Sequence, residues 1–77
     1  MIQTPEAGEM ITLMVNGAPR DLAPDSTIAG LLGSLGLDPR LVVVEHNREI
    51  LRDRDAYPGL SLRDGDVVEN VHFVGGG

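Results

Sequence analysis

Few residues in this 77-residue chain could do chemistry, and what is missing narrows the options further. It contains no Cys and no Lys. It therefore has no thiolate nucleophile, no disulfide, no Cys-ligated metal site and no side-chain amine for Schiff-base chemistry. His46 and His72 alone make a poor metal set and read as ordinary strand residues. Ser26, Ser34 and Ser61 fall in cap, helix and loop contexts, without the glycine pattern of a nucleophile elbow. Asp64 and Asp66 belong to a turn, where solvated acids are expected. Gly75-Gly76-Gly77 lacks the strand–loop–helix setting of a phosphate loop. No catalytic residue and no metal site are expected.

What remains is the end of the chain. Three residues without side chains, Gly75 to Gly77, can extend about 10 Å from a fold and enter a narrow active site in another protein. No Cβ crowds a carboxylate at Gly77, so an enzyme could activate it with ATP and pass it to a nucleophile. With no thiol in the chain, any sulfur it carried would sit on that carboxylate. With no Lys, an activated carboxylate could not be lost to the chain's own amines, although an Arg-biased composition accounts for the missing Lys more simply. The competing reading is an idle, frayed terminus.

A chain of this size forms one domain and buries only about 60% of its unfolded surface, which leaves no room for a large catalytic cavity beside the core. Its core is well supplied, with ten Leu, eight Val and four Ile, whereas Tyr57 and Phe73 are its only aromatics. Six Arg against twelve acids give a net charge of −6, which argues against nucleic acid. The first residues carry no basic targeting region, and no apolar run approaches a membrane span, so a soluble cytoplasmic protein is the expectation.

Residues 1–9 read as a flexible N-terminal extension, 10–74 as the folded domain and 75–77 as a mobile tail. From Met10, Ile11, Leu13 and Val15 alternate with Thr12, Met14 and Asn16, the period of a half-buried strand. Asn16-Gly17 is a two-residue hairpin signal, and a weaker strand over about Ala18 to Ala23 is demoted to an edge by Pro19. Thr27 is the preferred N-cap of one long helix, with Asp25 and Ser26 as alternatives, and Ile28, Leu31, Leu32 and Leu35 form its apolar stripe. Gly30 and Gly33 would permit close backbone approach, but tolerance by a packed helix is the simpler reading. Gly36 is placed to end the helix, with Leu37 touching Leu32, before Asp38-Pro39.

The run Leu41 to His46 predicts an interior strand covered on both faces. Asn47-Arg48 turns the chain into a short strand, Glu49 to Leu51, and one helical turn is expected around Asp55 to Tyr57, before Pro58. Leu60 and Leu62 cap the core, and Arg63 to Asp66 form a tight turn. The last strand alternates Val67, Glu69, Val71 and Phe73 with Val68, Asn70, His72 and Val74. The expected fold class is α+β: a β-grasp, ubiquitin-like domain whose four- to five-stranded mixed sheet packs on one main helix, its first and last strands parallel at the centre.

The segments MITLMVNG, TIAGLLGSLGLDPR, LVVVEHN, LRDGD and VENVHFVGGG together resemble the ThiS family of sulfur carriers in thiamine biosynthesis. The similarity runs from Met10 to Gly77, and HFVGGG after a DGD turn is its most specific part. The related MoaD carriers approach their final Gly-Gly through a Pro-containing segment, and Val71 to Val74 is Pro-free. The family commonly has acidic residues after the Thr cap, where this chain has Gly30 and Gly33, and the extension over 1–9 lies outside its pattern.

The resemblance implies a carrier that is a co-substrate and not an enzyme, with no cofactor of its own. A ThiF-like adenylyltransferase would use ATP-Mg to convert the Gly77 carboxylate to an acyl adenylate. Sulfur from a cysteine desulfurase persulfide would replace AMP, and the resulting thiocarboxylate would go to a ThiG-like thiazole synthase. Gly75 and Gly76 would supply reach, and Phe73, Val74 and Met14 are docking candidates, although Phe73 reads equally well as core. A carrier for molybdopterin or tRNA thiolation, or a β-grasp protein modifier or interaction module that handles no sulfur, remain alternatives.

Overall fold

Both hairpins turn on residues in the left-handed region. A computed structural model describes residues 9–72, and in it φ is 52° and 83° at Asn16 and Gly17, and 52° and 73° at Asn47 and Arg48. Positive φ at both central positions matches the right-handed twist of the flanking strands, which is why a two-residue turn needs it. The first turn joins β1 (Ile11–Val15) to β2 (Ala18–Leu22) with Val15 opposite Ala18. The second joins β3 (Val42–His46) to β4 (Glu49–Leu51) with His46 opposite Glu49.

A final strand, β5 (Val67–His72), enters between the hairpins, so the five-stranded sheet runs β2-β1-β5-β3-β4. β5 is parallel to β1 and antiparallel to β3, as the β-grasp reading requires. Pro19 sits on β2, at the sheet edge where its missing N–H costs no ladder bond.

The helix α1 (Ile28–Ser34) covers one face. Thr27 caps it, its Oγ1 accepting the Gly30 N–H at 3.1 Å. At the other end Leu37 N–H donates to Leu32 C=O and Gly36 N–H to Gly33 C=O, with Gly36 at φ 72°; this is the Schellman ending the sequence predicts. The expected long helix is thus only seven residues, because cap and C-terminal motif close in on it from both sides. No backbone approaches Gly30 or Gly33: a Cβ at Gly33 would meet open space, and one at Gly30 only the Thr27 hydroxyl. The bonds Ile28 N–H to Leu60 C=O and Leu62 N–H to Ser26 C=O pin the start of α1 to the 60–62 segment.

Leu13, Val15, Ile28, Leu31, Leu32, Val42, Val44, Leu62 and Val68 form the core, with Tyr57 among them. Tyr57 sits in a 3-10 turn, Arg54–Gly59, that runs through Pro58 where a stop before Pro58 is expected, and its hydroxyl donates to Leu51 C=O. Leu60 packs against this core, as its capping role predicts. Glu9 is exposed; the rest of the extension expected over 1–9, together with Phe73, Val74 and the glycine tail, lies outside the described residues.

The strand expected to be covered on both faces is covered on one. β3 does lie inside the sheet, and Val42 and Val44 are buried, but Val43 is only half-buried and Leu41 is exposed in a 3-10 turn. A single two-turn helix can shield one side of five strands and no more.

Candidate functional site

β5 connects the core to the C-terminal segment, so the surfaces around its end are where a partner taking that segment would meet the domain. On the inner face Val68 is fully buried; on the outer face Val67, Glu69 and Val71 alternate outward, and Val71 is 66% exposed. Register brings their outer-face neighbours together: Val43 is opposite Val71, Glu45 opposite Glu69, Ile50 opposite Glu45, and Met14 beside Val67. Met14, Val67, Val71 and Ile50 are all exposed. The outer face is thus an apolar surface around two carboxylates that lie directly across from each other, an unfavourable like-charge pairing. Glu45 and Glu69, with Asn47, Arg48 and Val67, line a shallow basin of about 410 Å³ on this face.

Beside the same strand, two asparagines replace the next rung of the β1–β5 ladder. Asn70 N–H donates to Asn16 Oδ1 at 2.9 Å, and Asn16 Nδ2 donates to Asn70 Oδ1 at 3.3 Å. The backbone donor fixes the orientation of the Asn16 amide, and that in turn fixes Asn70, leaving Asn70 Nδ2 buried with no acceptor among the described residues.

The opposite end of β5 is stapled by Asp66. His46 Nε2–H donates to Asp66 Oδ2 at 2.8 Å, Asn47 Nδ2 to Oδ1 at 3.1 Å, and Arg63 N–H to Oδ2 at 2.9 Å. Burial pushes the Asp66 carboxyl up, but the bonds from His46, Asn47 and Arg63 outweigh it and hold the carboxyl below its usual range. Asn47 Oδ1 accepts Val67 N–H at 2.9 Å, and Gly65 N–H donates to Thr12 C=O at 2.8 Å. This cluster locks the Arg63–Asp66 turn between β1 and the β3–β4 hairpin, and so sets where β5 begins. Among the described residues no group of three or more His, Asp or Glu is placed to hold a metal ion, and no helix is long and apolar enough to cross a membrane.

Comparison with known proteins decides the family. The ThiS family profile matches residues 13–77. The chain belongs to the ThiS family. The sulfur carrier protein ThiS of Bacillus subtilis is 44% identical over 66 residues, covering 84% of this chain and 98% of that protein. The crystal structure of the thiamine biosynthesis protein ThiS from Geobacter metallireducens superposes with a TM-score of 0.74 at 37% identity, covering 87% of this chain and all of that one. The β-grasp fold is therefore shared with a solved ThiS. Two thiazole synthases also match, from Paramagnetospirillum magneticum at 43% identity over 84% of the chain and from Magnetococcus marinus at 40% over 82%. The chain spans about a fifth of their length, 20% and 19%.

Of the residues singled out from sequence, Met14 lies on the exposed outer face, at the strand next to β5. Phe73, Val74, Gly75, Gly76 and Gly77 lie outside the described residues. His46 and His72, at opposite ends of the β3–β5 pairing, share no site, and His46 is the partner of Asp66. Sequence reasoning missed Val43, Val67, Val71 and Ile50 as a shared outer surface. The signal was present: too many β-branched residues for one short helix to cover.

Proposed function

We propose that this ThiS-family chain carries sulfur as a C-terminal thiocarboxylate at Gly77 for thiazole formation in thiamine biosynthesis. The observation that carries the reading is the family match over residues 13–77, together with near-complete coverage of a sulfur carrier ThiS. The Gly77 carboxylate attacks the α-phosphate of ATP in a ThiF-like adenylyltransferase, with Mg²⁺ there, releasing pyrophosphate and leaving an acyl adenylate. A persulfide charged by a cysteine desulfurase displaces AMP to give an acyl persulfide. A second thiol of the partner enzyme cleaves that S–S bond and ends as a disulfide, and the thiocarboxylate so released is handed to a thiazole synthase of the ThiG type. The carrier is a co-substrate throughout. Its own contribution is steric: glycine leaves the carbonyl open on both faces, and Gly75 and Gly76 pass through a channel too narrow for side chains.

Docking falls to the apolar outer face around Met14, Val67 and Val71, with Phe73 and Val74 next in the sequence. The two thiazole synthases that contain a stretch like this chain support the thiazole destination over molybdopterin or tRNA thiolation. Intact-protein mass spectrometry tests the reading. Incubated with its cognate adenylyltransferase, ATP and a sulfur source, the chain is expected to gain the oxygen-to-sulfur increment at its C-terminal residue. Recovery of the free acid alone refutes it. Deleting Gly77 is expected to abolish adenylation and to leave the thermal midpoint unmoved.

A further inference from the structure

The ladder between β1 and β5 stops before β5 does. Asp66 and Val68 turn their carbonyls toward β1, where they accept Met14 N–H and Asn16 N–H at 2.9 Å each. β1 then ends, because Asn16 and Gly17 reverse the chain, and the last bond on this side is donated by Asn70 N–H to Asn16 Oδ1. Backbone groups alternate sides along a strand, so the next to face this way are Asn70 C=O and His72 N–H. Neither has a partner among the described residues. On its other side β5 stays paired with β3 as far as His72 opposite Val42. A strand that is central at its start therefore finishes as an edge, on one flank only.

We propose that this flank, Asn70 C=O and His72 N–H, receives an extended backbone segment of the tail-processing adenylyltransferase, added to β5 as a short further strand. The proposal rests on the sulfur-carrier reading and says how the tail is held in register. Gly77 lies five positions beyond His72, a reach of at most about 18 Å. An enzyme that grips the Gly77 carboxylate has its surface within that distance of the flank. Strand addition reads the backbone and fixes position in steps of the ladder, so it sets how deeply Gly77 penetrates. A second copy of the chain is the poorer occupant, since each copy brings a net charge of −6.

Two measurements test this with the full-length carrier, the cognate adenylyltransferase and ATP-Mg. In the first, His72→Pro removes the N–H on the free flank and leaves the β3 pairing, which uses the odd-numbered residues, intact. Pyrophosphate release is expected to show a KM for the carrier about threefold to tenfold higher in His72→Pro than in His72→Ala, the worth of one net hydrogen bond, with kcat moving less. Equal KM values in the two variants overturn the proposal. In the second, amide exchange of wild-type His72 N–H is followed by NMR and is expected to slow only when the adenylyltransferase is added. Exchange that stays fast in the complex overturns the proposal, and so does protection already present in the concentrated free carrier, which assigns the flank to a second copy. A wild-type carrier that is never adenylated removes the functional reading itself, a result distinct from either of these.

Discussion

Replacing Asn70 by Val is expected to stabilise the fold. Asn70 Nδ2 is buried without an acceptor among the described residues, and such a donor costs about 1–3 kcal/mol. What the side chain gives in return is one bond from Asn16 Nδ2, long at 3.3 Å and on the exposed residue of the pair, a contribution of at most about 0.5 kcal/mol. The backbone bond from residue 70 N–H to Asn16 Oδ1 survives any side chain at 70. Val is β-branched and suits the inner face of a strand opposite buried Val44. The net expectation is a gain of about 1–2 kcal/mol, or roughly 4–8 °C in thermal midpoint per kcal/mol for a domain of this size. Asn16→Gly should act in the opposite direction by about 1 kcal/mol, although Gly relaxes the positive φ at that position, because it leaves Asn70 N–H without its acceptor. Urea and thermal unfolding of both variants decide the matter. A lower midpoint for Asn70→Val, or no loss for Asn16→Gly, refutes the reasoning that the pair is kept by its backbone bond and strained by its side-chain one.

Gly33→Ala should raise stability by about 0.5–1 kcal/mol in the same unfolding assays, because the position is exposed, helical and open around a new Cβ. Asp66 makes stability depend on acid pH. Its carboxyl titrates lower when folded than when unfolded, so its contribution is complete above the ordinary carboxylate range, near pH 4, and fades as pH falls through the folded value. Urea midpoints measured from neutral pH down to strongly acid pH should therefore fall less steeply in Asp66→Asn than in wild type. Val71→Asp adds a charge to the apolar part of the outer face at a residue already 66% exposed. It should raise the KM of the carrier for adenylation about tenfold or more and change the unfolding free energy by less than about 1 kcal/mol, the usual range for surface substitutions.

What could be read from the chain alone was local. Asn16-Gly17 forms a hairpin, Thr27 caps and Gly36 ends the helix, and Arg63 to Asp66 turn, because each depends on residues within a few positions of one another. The parallel centre of the sheet was legible too, since one helix between two hairpins leaves little other choice of packing. Illegible features depend on register between distant segments. Asn16 and Asn70 are 54 positions apart, and nothing near either predicts that one ends the other's ladder. The valines of β3 read as doubly covered because apolar runs do not say how many layers the chain can supply. Tyr57 lies in a polar segment, and only the course of the 3-10 turn places its ring in the core.

These two kinds of feature divide by role. The buried half of the sheet is secured several times over: Asp66 staples one end of β5, Asn16 extends its ladder by one rung, and α1 seals Val68 from solvent. The other half leaves Val67 and Val71 in water, places Glu45 against Glu69, and drops the β1 pairing before the strand is finished. Apolar exposure, like-charge pairing and an open edge each lower the stability of an isolated domain, and all three fall on the face and flank of the strand that leads to the C-terminal segment. A domain selected for stability alone would have corrected at least one of them, since single substitutions suffice. Their concentration there fits the proposed docking of a tail-processing partner, which would cover all three at once.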